Sequence, residues 1–137
     1  MICHQKRIFL LLLLLLLACV TLPAVRPASA RDLVSGRYIS SAGKNIVLDL
    51  DVKGPSPSNL IVHQFLPAEV DITGSSPAYM KFDKKRGKVQ WLIKNVQPGR
   101  VRISMELSEP LPPGLVRAEV RCRDQETGRM MDITINP

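Results

Sequence analysis

Hydrophobic and polar residues alternate along much of the chain after residue 30. The clearest run spans residues 45–52, where Ile46, Leu48, Leu50 and Val52 share one face of an extended strand. A period of two residues over such a length is typical of a β-strand with one buried face. No stretch after residue 30 shows the 3.6-residue period of a helix of normal length. The pattern therefore predicts an all-β domain.

Three further extended runs follow one another in residues 79–107, where turns are expected at Gly87 and at Pro98-Gly99. Glycine and proline mark these turns because a reversing backbone needs a positive or a preset φ. We expect a β-meander with Trp91, the single tryptophan, on its middle strand. By parity Trp91 faces inward, where it would anchor the packing of two sheets.

Other strands are expected at residues 38–39, 60–65, 115–123 and 129–136, and residues 68–78 are expected to form a short edge strand followed by a bend. The run at 60–65 does not alternate cleanly, so we expect it to be buried on both faces or to lie in the centre of a sheet. Strands of these lengths, separated by turns rich in glycine, serine and proline, predict a single antiparallel β-sandwich of seven or eight strands.

The first thirty residues predict an export signal. Lys6 and Arg7 form a positive start, residues 8–20 are apolar, and residues 28–30 read Ala-Ser-Ala. Small residues at this spacing suit a signal peptidase, and the apolar run is shorter than the roughly 20 residues that span a membrane. We expect cleavage after Ala30 and a mature domain at 31–137.

A lipoprotein is the alternative. Leu16-Leu17-Ala18-Cys19 resembles the lipobox of bacterial lipoproteins, in which the cysteine is lipidated. Lipid attachment at Cys19 would place the protein at the membrane, as an outer-membrane lipoprotein. Cleavage after Ala30 would leave it periplasmic or extracellular. We favour cleavage because the small-x-small site is well formed. Both alternatives predict export.

Removal of the leader changes the charge and the cysteine count. Residues 31–137 hold 16 basic and 12 acidic side chains, so the net charge falls from +7 to +4. A modest positive charge suits weak attraction to anionic surfaces. Cys122 is the one cysteine that certainly survives, so no intramolecular disulfide can form. Its inward parity with Val120 predicts a buried, reduced thiol, and a disulfide to a partner is the alternative.

Basic residues crowd the first hairpin of the predicted meander. They are Lys81, Lys84, Lys85, Arg86 and Lys88. We call residues 81–88 the basic hairpin and treat it as a candidate contact for anionic glycans or lipid headgroups; the alternative is a solvated turn. Arg117, Arg121 and Arg123 stripe a later strand. We expect no nucleic-acid binding, because exposed aromatic residues are few.

Residue types that often carry catalysis lack suitable partners in the sequence. Asp49 and Asp51 share the predicted outer face of a strand, but no third acidic ligand is near, which favours a solvated face. His63 has no neighbouring cysteine, histidine or ordered acidic set. Ser75 and Ser76 lack a Gly-x-Ser-x-Gly context. We therefore expect no enzymatic activity, cofactor or metal.

Several short motifs occur together between Leu60 and Arg123. They are Phe65-Leu66-Pro67, the serine-rich bend 73–77, the tryptophan strand 87–91, the Pro-Gly turn 96–99, the alternating strand 101–107, and Ala118-Glu119-Val120. This combination resembles the conserved-repeat domain of bacterial surface proteins, a domain of unknown function. The resemblance implies an immunoglobulin-like sandwich in an exported protein.

Two positions depart from that pattern. Gln64 stands where an aspartate often precedes the Leu-Pro, and Arg117 where an asparagine often precedes the Ala-x-Val. Some related domains join lysine to asparagine in an isopeptide bond, and Arg117 argues against one here. The resulting hypothesis is a non-enzymatic envelope module that contacts an unknown envelope protein in a surface or periplasmic assembly. Binding of anionic glycans or lipid headgroups is the alternative, and an enzyme is disfavoured.

Overall fold

The computed structural model describes residues 33–137, which form nine β-strands. The strands are β1 (Val34–Ser40), β2 (Gly43–Val52), β3 (Asn59–Phe65), β4 (Ile72–Ser76), β5 (Lys81–Asp83), β6 (Lys88–Lys94), β7 (Gly99–Leu111), β8 (Arg117–Arg123) and β9 (Met130–Ile135). Sheet A has the order β1-β2-β7-β4, and sheet B the order β5-β6-β3-β8-β9. The predicted all-β class is confirmed, with nine strands instead of seven or eight. The leader, the cleavage site at Ala30 and the candidate lipidation site Cys19 lie outside the described residues.

The inward faces of the two antiparallel sheets share one hydrophobic core. Ile46, Leu48, Leu50 and Val52 of β2 are all buried, as their alternation predicts. Trp91 of β6 is only 1% exposed, which confirms its inward parity. Alternate residues of each strand thus face a common interior, the arrangement of a β-sandwich.

The predicted meander is only half right. β5 and β6 form a hairpin, but β7 leaves their sheet and pairs with β2 and β4 in sheet A. The β2–β7 ladder is regular from Val52 opposite Gly99 to Asn45 opposite Glu106 and, after a register shift, ends at Gly43 opposite Leu111. Strands that face one another across a core show the same alternation as strands that pair side by side. The sequence pattern therefore identifies the buried face of β7 but not its neighbours.

The first strand is longer than the two residues predicted. β1 begins at Val34, four residues before the predicted start. The alternation is hidden in the sequence because Gly36 interrupts the inward series between Val34 and Tyr38. A Cβ at Gly36 would overlap the side chain of Ile135 and lie 2.8 Å from Leu50 Cδ2. Glycine therefore lets β1 approach β9 and close one side of the sandwich.

β3 is the central strand of sheet B, as one of the two predicted alternatives states, but it alternates regularly and is not buried on both faces. Leu60, Val62 and Gln64 point inward, and the residues between them are only partly buried. Gln64 hides this pattern because it is a polar residue at a core position. Its side chain accepts a hydrogen bond from the Tyr38 hydroxyl at 2.9 Å and donates one to the Arg117 carbonyl at 3.0 Å. The amide is thus satisfied, and it links the two sheets.

Candidate binding face on sheet B

The basic hairpin forms as the sequence predicts. β5 pairs with β6, and residues 84–87 make the turn. The Arg86 N–H donates to the Asp83 carboxylate at 3.2 Å, and Gly87 adopts a φ of +64°. The Leu66 N–H donates to the Gly87 carbonyl at 2.7 Å, which ties the turn to the end of β3. The hairpin is therefore fixed to the body of sheet B.

The cations of the hairpin do not form one cluster. Lys81 and Lys88 project from the outer face of sheet B, whereas Lys84 and Lys85 are exposed on the turn. Lys84 Nζ lies 2.8 Å from Asp71 Oδ1, and this hydrogen-bonded pair raises the pKa of Lys84. Lys84 is thus engaged with an acid outside the hairpin.

Arg86 occupies an intermediate position. Its Nε lies 3.8 Å from the Asp83 carboxylate, which is a loose ion pair. Together with Lys81, Lys88 and Gln90, these two residues line a small surface cleft of about 120 Å³. Three of the five predicted cations therefore border one depression beside β5 and β6.

The register of sheet B joins the two basic groups that the sequence shows separately. Lys88 of β6 and Arg117 of β8 lie on either side of Phe65 of β3. The arginine stripe of β8 therefore faces the same solvent side as Lys88. We call this outer surface the basic face. Its charged residues are Lys81, Lys88, Lys94, Arg117, Arg121 and Arg123 with Asp83, Glu119 and Asp132, a net charge of +3.

The outer face of sheet A is balanced by comparison. The outward positions of its strands carry three cations and three acids, namely Arg37, Arg100, Arg102, Asp49, Asp51 and Glu106, and the remaining charges of these strands, Lys44 and Glu109, cancel. Residues 33–137 hold 15 basic and 11 acidic side chains, a net charge of +4. The basic face therefore accounts for +3 of the net charge of +4.

Asp49 corrects one expectation. It is only 4% exposed, and therefore not part of a solvated strand face. Arg102 forms a bidentate pair with the Asp49 carboxylate, in which Nε donates at 2.6 Å and Nη2 donates at 2.9 Å. This hydrogen bonding, helped by the charge of Arg100, lowers the pKa of Asp49. Because Arg102 lies on β7, the pair joins β2 to β7 and explains why an acid is tolerated there.

Phe65, the last residue of β3, belongs to the basic face, although the sequence analysis did not identify it as a candidate site residue. The Arg117 guanidinium carbon lies 4.3 Å from the ring centroid, and Lys88 Nζ lies 5.8 Å from it. These distances are typical of cation–π contacts. The outward parity of Phe65 on β3 was the available signal, and the polar Gln64 beside it obscured that signal.

His63 lies on the same face, one row from Phe65, opposite Gln90 and Glu119 on the neighbouring strands. Partial burial lowers the pKa of His63, and the charge of Lys88 adds to this effect. At neutral pH the imidazole is therefore uncharged. It adds a polar group to the basic face without adding a charge.

The prediction of a serine-rich bend at 73–77 is wrong, because the residues up to Ser76 form β4 and pair with β7. Ser75 and Ser76 therefore lie on a strand and make hydrogen bonds there, and Cys122 lies in the core. Ser75 Oγ accepts a hydrogen bond from Trp91 Nε1 at 3.3 Å and donates to the Pro77 carbonyl at 2.6 Å. Ser76 uses its carbonyl to accept from Ser104 at 3.3 Å. Cys122 is buried, as its parity predicts, and that burial raises the pKa of its thiol.

Two further observations concern residues 33–137 as a whole. Within this part of the chain, no three histidine, cysteine or acidic side chains come close enough together to hold a metal ion. The same residues contain no helix that is long and apolar enough to cross a membrane.

No family model matches the chain, and neither a curated protein nor a solved structure matches it. The resemblance to the conserved-repeat domain of bacterial surface proteins stays a prediction. The leader sequence, the fold and the charges of the two outer faces are the features from which function can be inferred.

Proposed function

We propose that this protein is an exported module of a periplasmic or surface assembly, and that it acts by binding and not by catalysis. The observation that carries the proposal is the division of charge between the two outer faces. One face has a net charge of +3 and the other is neutral by formal count. A flat face with surplus charge attracts ligands of opposite charge. The export signal predicted for residues 1–30 supports a place in the cell envelope.

An immunoglobulin-like architecture is part of this proposal. The order of sheet A corresponds to strands A, B, E and D of an immunoglobulin domain, and that of sheet B to strands C″, C′, C, F and G. The connections differ, because β4, β5 and β6 occupy the D, C″ and C′ positions in the reverse of the usual chain order. The spatial order of strands thus supports an immunoglobulin-like sandwich with a rearranged middle segment.

Contact with another envelope protein is a second candidate, and a different surface favours it. Tyr79 and Met80 are exposed apolar residues just before the short edge strand β5, and Met80 is 56% exposed. Tyr79 packs edge-to-face against Phe82, with ring centroids 6.0 Å apart, so it is held in place. A fixed aromatic residue beside an exposed methionine suits a protein interface.

Photo-crosslinking in the source cells tests the proposal. A benzophenone amino acid is placed at Leu92 on the basic face, at Ile39 on the outer face of sheet A, or at Tyr79. All three positions are exposed. We expect the protein in an envelope fraction and adducts chiefly from Leu92. Discrete protein adducts from Tyr79 would support the second candidate. Adducts from Ile39 alone, or a protein retained in the cytoplasm, would contradict the proposal.

A further inference from the structure

We infer that the ligand of the basic face is an extended acidic polysaccharide that runs across the strands of sheet B. This inference rests on the proposed function, because it names the class of ligand for the same surface. It follows from the spacing of the cations, from their existing partners and from the neutral groups between them.

The cations are spread across the width of the sheet. Lys81 lies on β5, Lys88 on β6, and Arg117 and Arg121 on β8. Neighbouring strands lie about 4.8 Å apart, so the three steps from β5 to β8 span roughly 14 Å. Lys88 and Arg117 share one cross-strand row, Lys81 lies in the next row and Arg121 in the row after that. A single small anion can contact only some of these cations, whereas a chain that repeats its negative charges can contact them all.

Several of these cations are available to a ligand. Lys81, Lys88, Lys94 and Arg123 make no ion pair within 4.0 Å in the described part of the chain. The acids of the face are occupied by neighbouring arginines. Asp132 lies 2.6 Å from Arg121, Glu119 lies 3.5 Å from Arg117, and Asp83 lies 3.8 Å from Arg86. The unpaired lysines therefore dominate the field that a ligand meets.

Neutral polar groups lie between the charges. They are Asn59, His63, Gln90 and Thr134, which share the outer side of sheet B. Amide, imidazole and hydroxyl groups donate and accept hydrogen bonds, as sugar hydroxyls require. Polar groups next to cations suit a ligand that carries both hydroxyls and carboxylates or sulfates.

Nucleic acids and membranes fit this face less well. Proteins that bind single-stranded nucleic acid present aromatic rings on which bases stack, whereas the ring of Phe65 is already covered by Arg117. Membrane-surface binding uses a contiguous apolar surface. The exposed large apolar residues of this face are Leu92 on β6 and Met130 on β9, which are three strands apart. A polysaccharide agrees best with this arrangement.

The test measures binding of the folded protein to polygalacturonate, with neutral dextran, phosphatidylglycerol vesicles and oligothymidylate as comparison ligands. The key variant is Lys88→Glu/Arg117→Glu. Lys44→Glu/Lys53→Glu makes the same change in net charge away from the basic face, and Lys85→Glu/Arg86→Glu changes only the tip of the hairpin. A milder Lys88→Gln/Arg117→Gln variant and thermal unfolding of every variant keep the comparison among folded proteins.

We expect the wild-type protein to bind polygalacturonate and to lose affinity as sodium chloride rises from about 50 to about 200 mM. Lys88→Glu/Arg117→Glu should weaken binding at least about tenfold, and Lys44→Glu/Lys53→Glu by less than about twofold, since electrostatic complementarity acts where the charges meet. The hairpin-tip variant should fall between them.

Absent polygalacturonate binding, or equal losses in the two main variants, would overturn the inference. Stronger binding to vesicles or to oligothymidylate would overturn it in favour of a membrane or a nucleic acid. Adducts from Leu92 in cells without polysaccharide binding would reject only the ligand class. Absence of both the Leu92 adducts and polysaccharide binding would reject the proposed function as well.

Discussion

Trp91 shows how single residues organise this fold. It is the largest fully buried side chain, and its indole N–H donates to the Pro77 carbonyl at 3.0 Å. The bend before β5 therefore closes over the core and satisfies the one polar group of the side chain. The buried amide of Gln64 is likewise hydrogen-bonded, to Tyr38 of the other sheet and to the Arg117 carbonyl. In both cases a buried polar group has a partner, which gives the core one preferred arrangement.

Replacement of Trp91 tests its role in the core. Trp91→Ala leaves a cavity between the sheets and should cost roughly 3–5 kcal/mol of the free energy of unfolding. A domain of this size has about 5–15 kcal/mol in total. Lys85→Glu on the exposed turn should change it by less than about 0.5 kcal/mol. Denaturant unfolding of both variants measures the difference. An unchanged midpoint in Trp91→Ala would show that the inside and outside of β6 are reversed.

The thiol of Cys122 provides a second test at this scale. Burial among the core residues of β8 raises its pKa, so the folded protein should hold an unreactive, protonated thiol. A thiol reagent should label Cys122 slowly in the native protein and rapidly after denaturation. Fast labelling of the native state, or a disulfide-linked dimer on a non-reducing gel, would contradict the burial.

At the scale of the elements, the sequence predicts most strands but not their partners. Local alternation identifies β2, β6, β8 and β9, because each has a regular apolar face. Local alternation gives too short a β1, because Gly36 occupies a core position where β9 packs closely. It does not reveal the regular pattern of β3, because Gln64 occupies a core position where it bonds to the other sheet. The pairing of β7 with β2 depends on contacts far apart in the chain. A local pattern carries no information about such contacts.

The contact between the turn of the basic hairpin and the end of β3 can be tested at Gly87. Gly87 has a φ of +64°, and a Cβ there would overlap the Leu66 carbonyl. Gly128 has a similar φ of +71° but open space around it. Gly128→Ala should therefore cost only the strain of the left-handed backbone, about 1–2 kcal/mol. Gly87→Ala should cost clearly more when both are measured by denaturant unfolding. Equal costs would show that β3 does not approach this turn.

The Asp49–Arg102 pair between β2 and β7 makes stability depend on pH. Arg102 lowers the pKa of Asp49, so the unfolded chain takes up a proton at a higher pH than the folded protein does. The contribution of the Asp49–Arg102 pair to the free energy of unfolding is present above about pH 4, and it is lost as the pH falls through the pKa of Asp49 in the folded protein. Unfolding midpoints across this range should show a shallower acid decline for Asp49→Asn than for the wild type. Asp51→Asn, on the exposed neighbour, is the matched control; a similar change in both variants would exclude the Asp49–Arg102 pair as the cause.

At the scale of the whole molecule, the order of strands creates the candidate site. The sequence shows the basic hairpin and the arginines of β8 as separate groups, 29 residues apart between Lys88 and Arg117. They share a face only because β3 lies between β6 and β8. The same arrangement sends β7, with Arg100 and Arg102, to the opposite surface. A continued meander would instead have placed those arginines beside β6.

Cross-strand backbone contacts measured by nuclear Overhauser effects test this strand order most directly. We predict contacts between Val62 and Val120 for the β3–β8 pair, and between Leu48 and Ile103 for the β2–β7 pair. Among the described residues, no backbone ladder should join β6 to β7. A continuous ladder between Trp91 and the backbone around Ile103, with none between Val62 and Val120, would restore the meander. It would also separate the two basic groups and remove the proposed binding face.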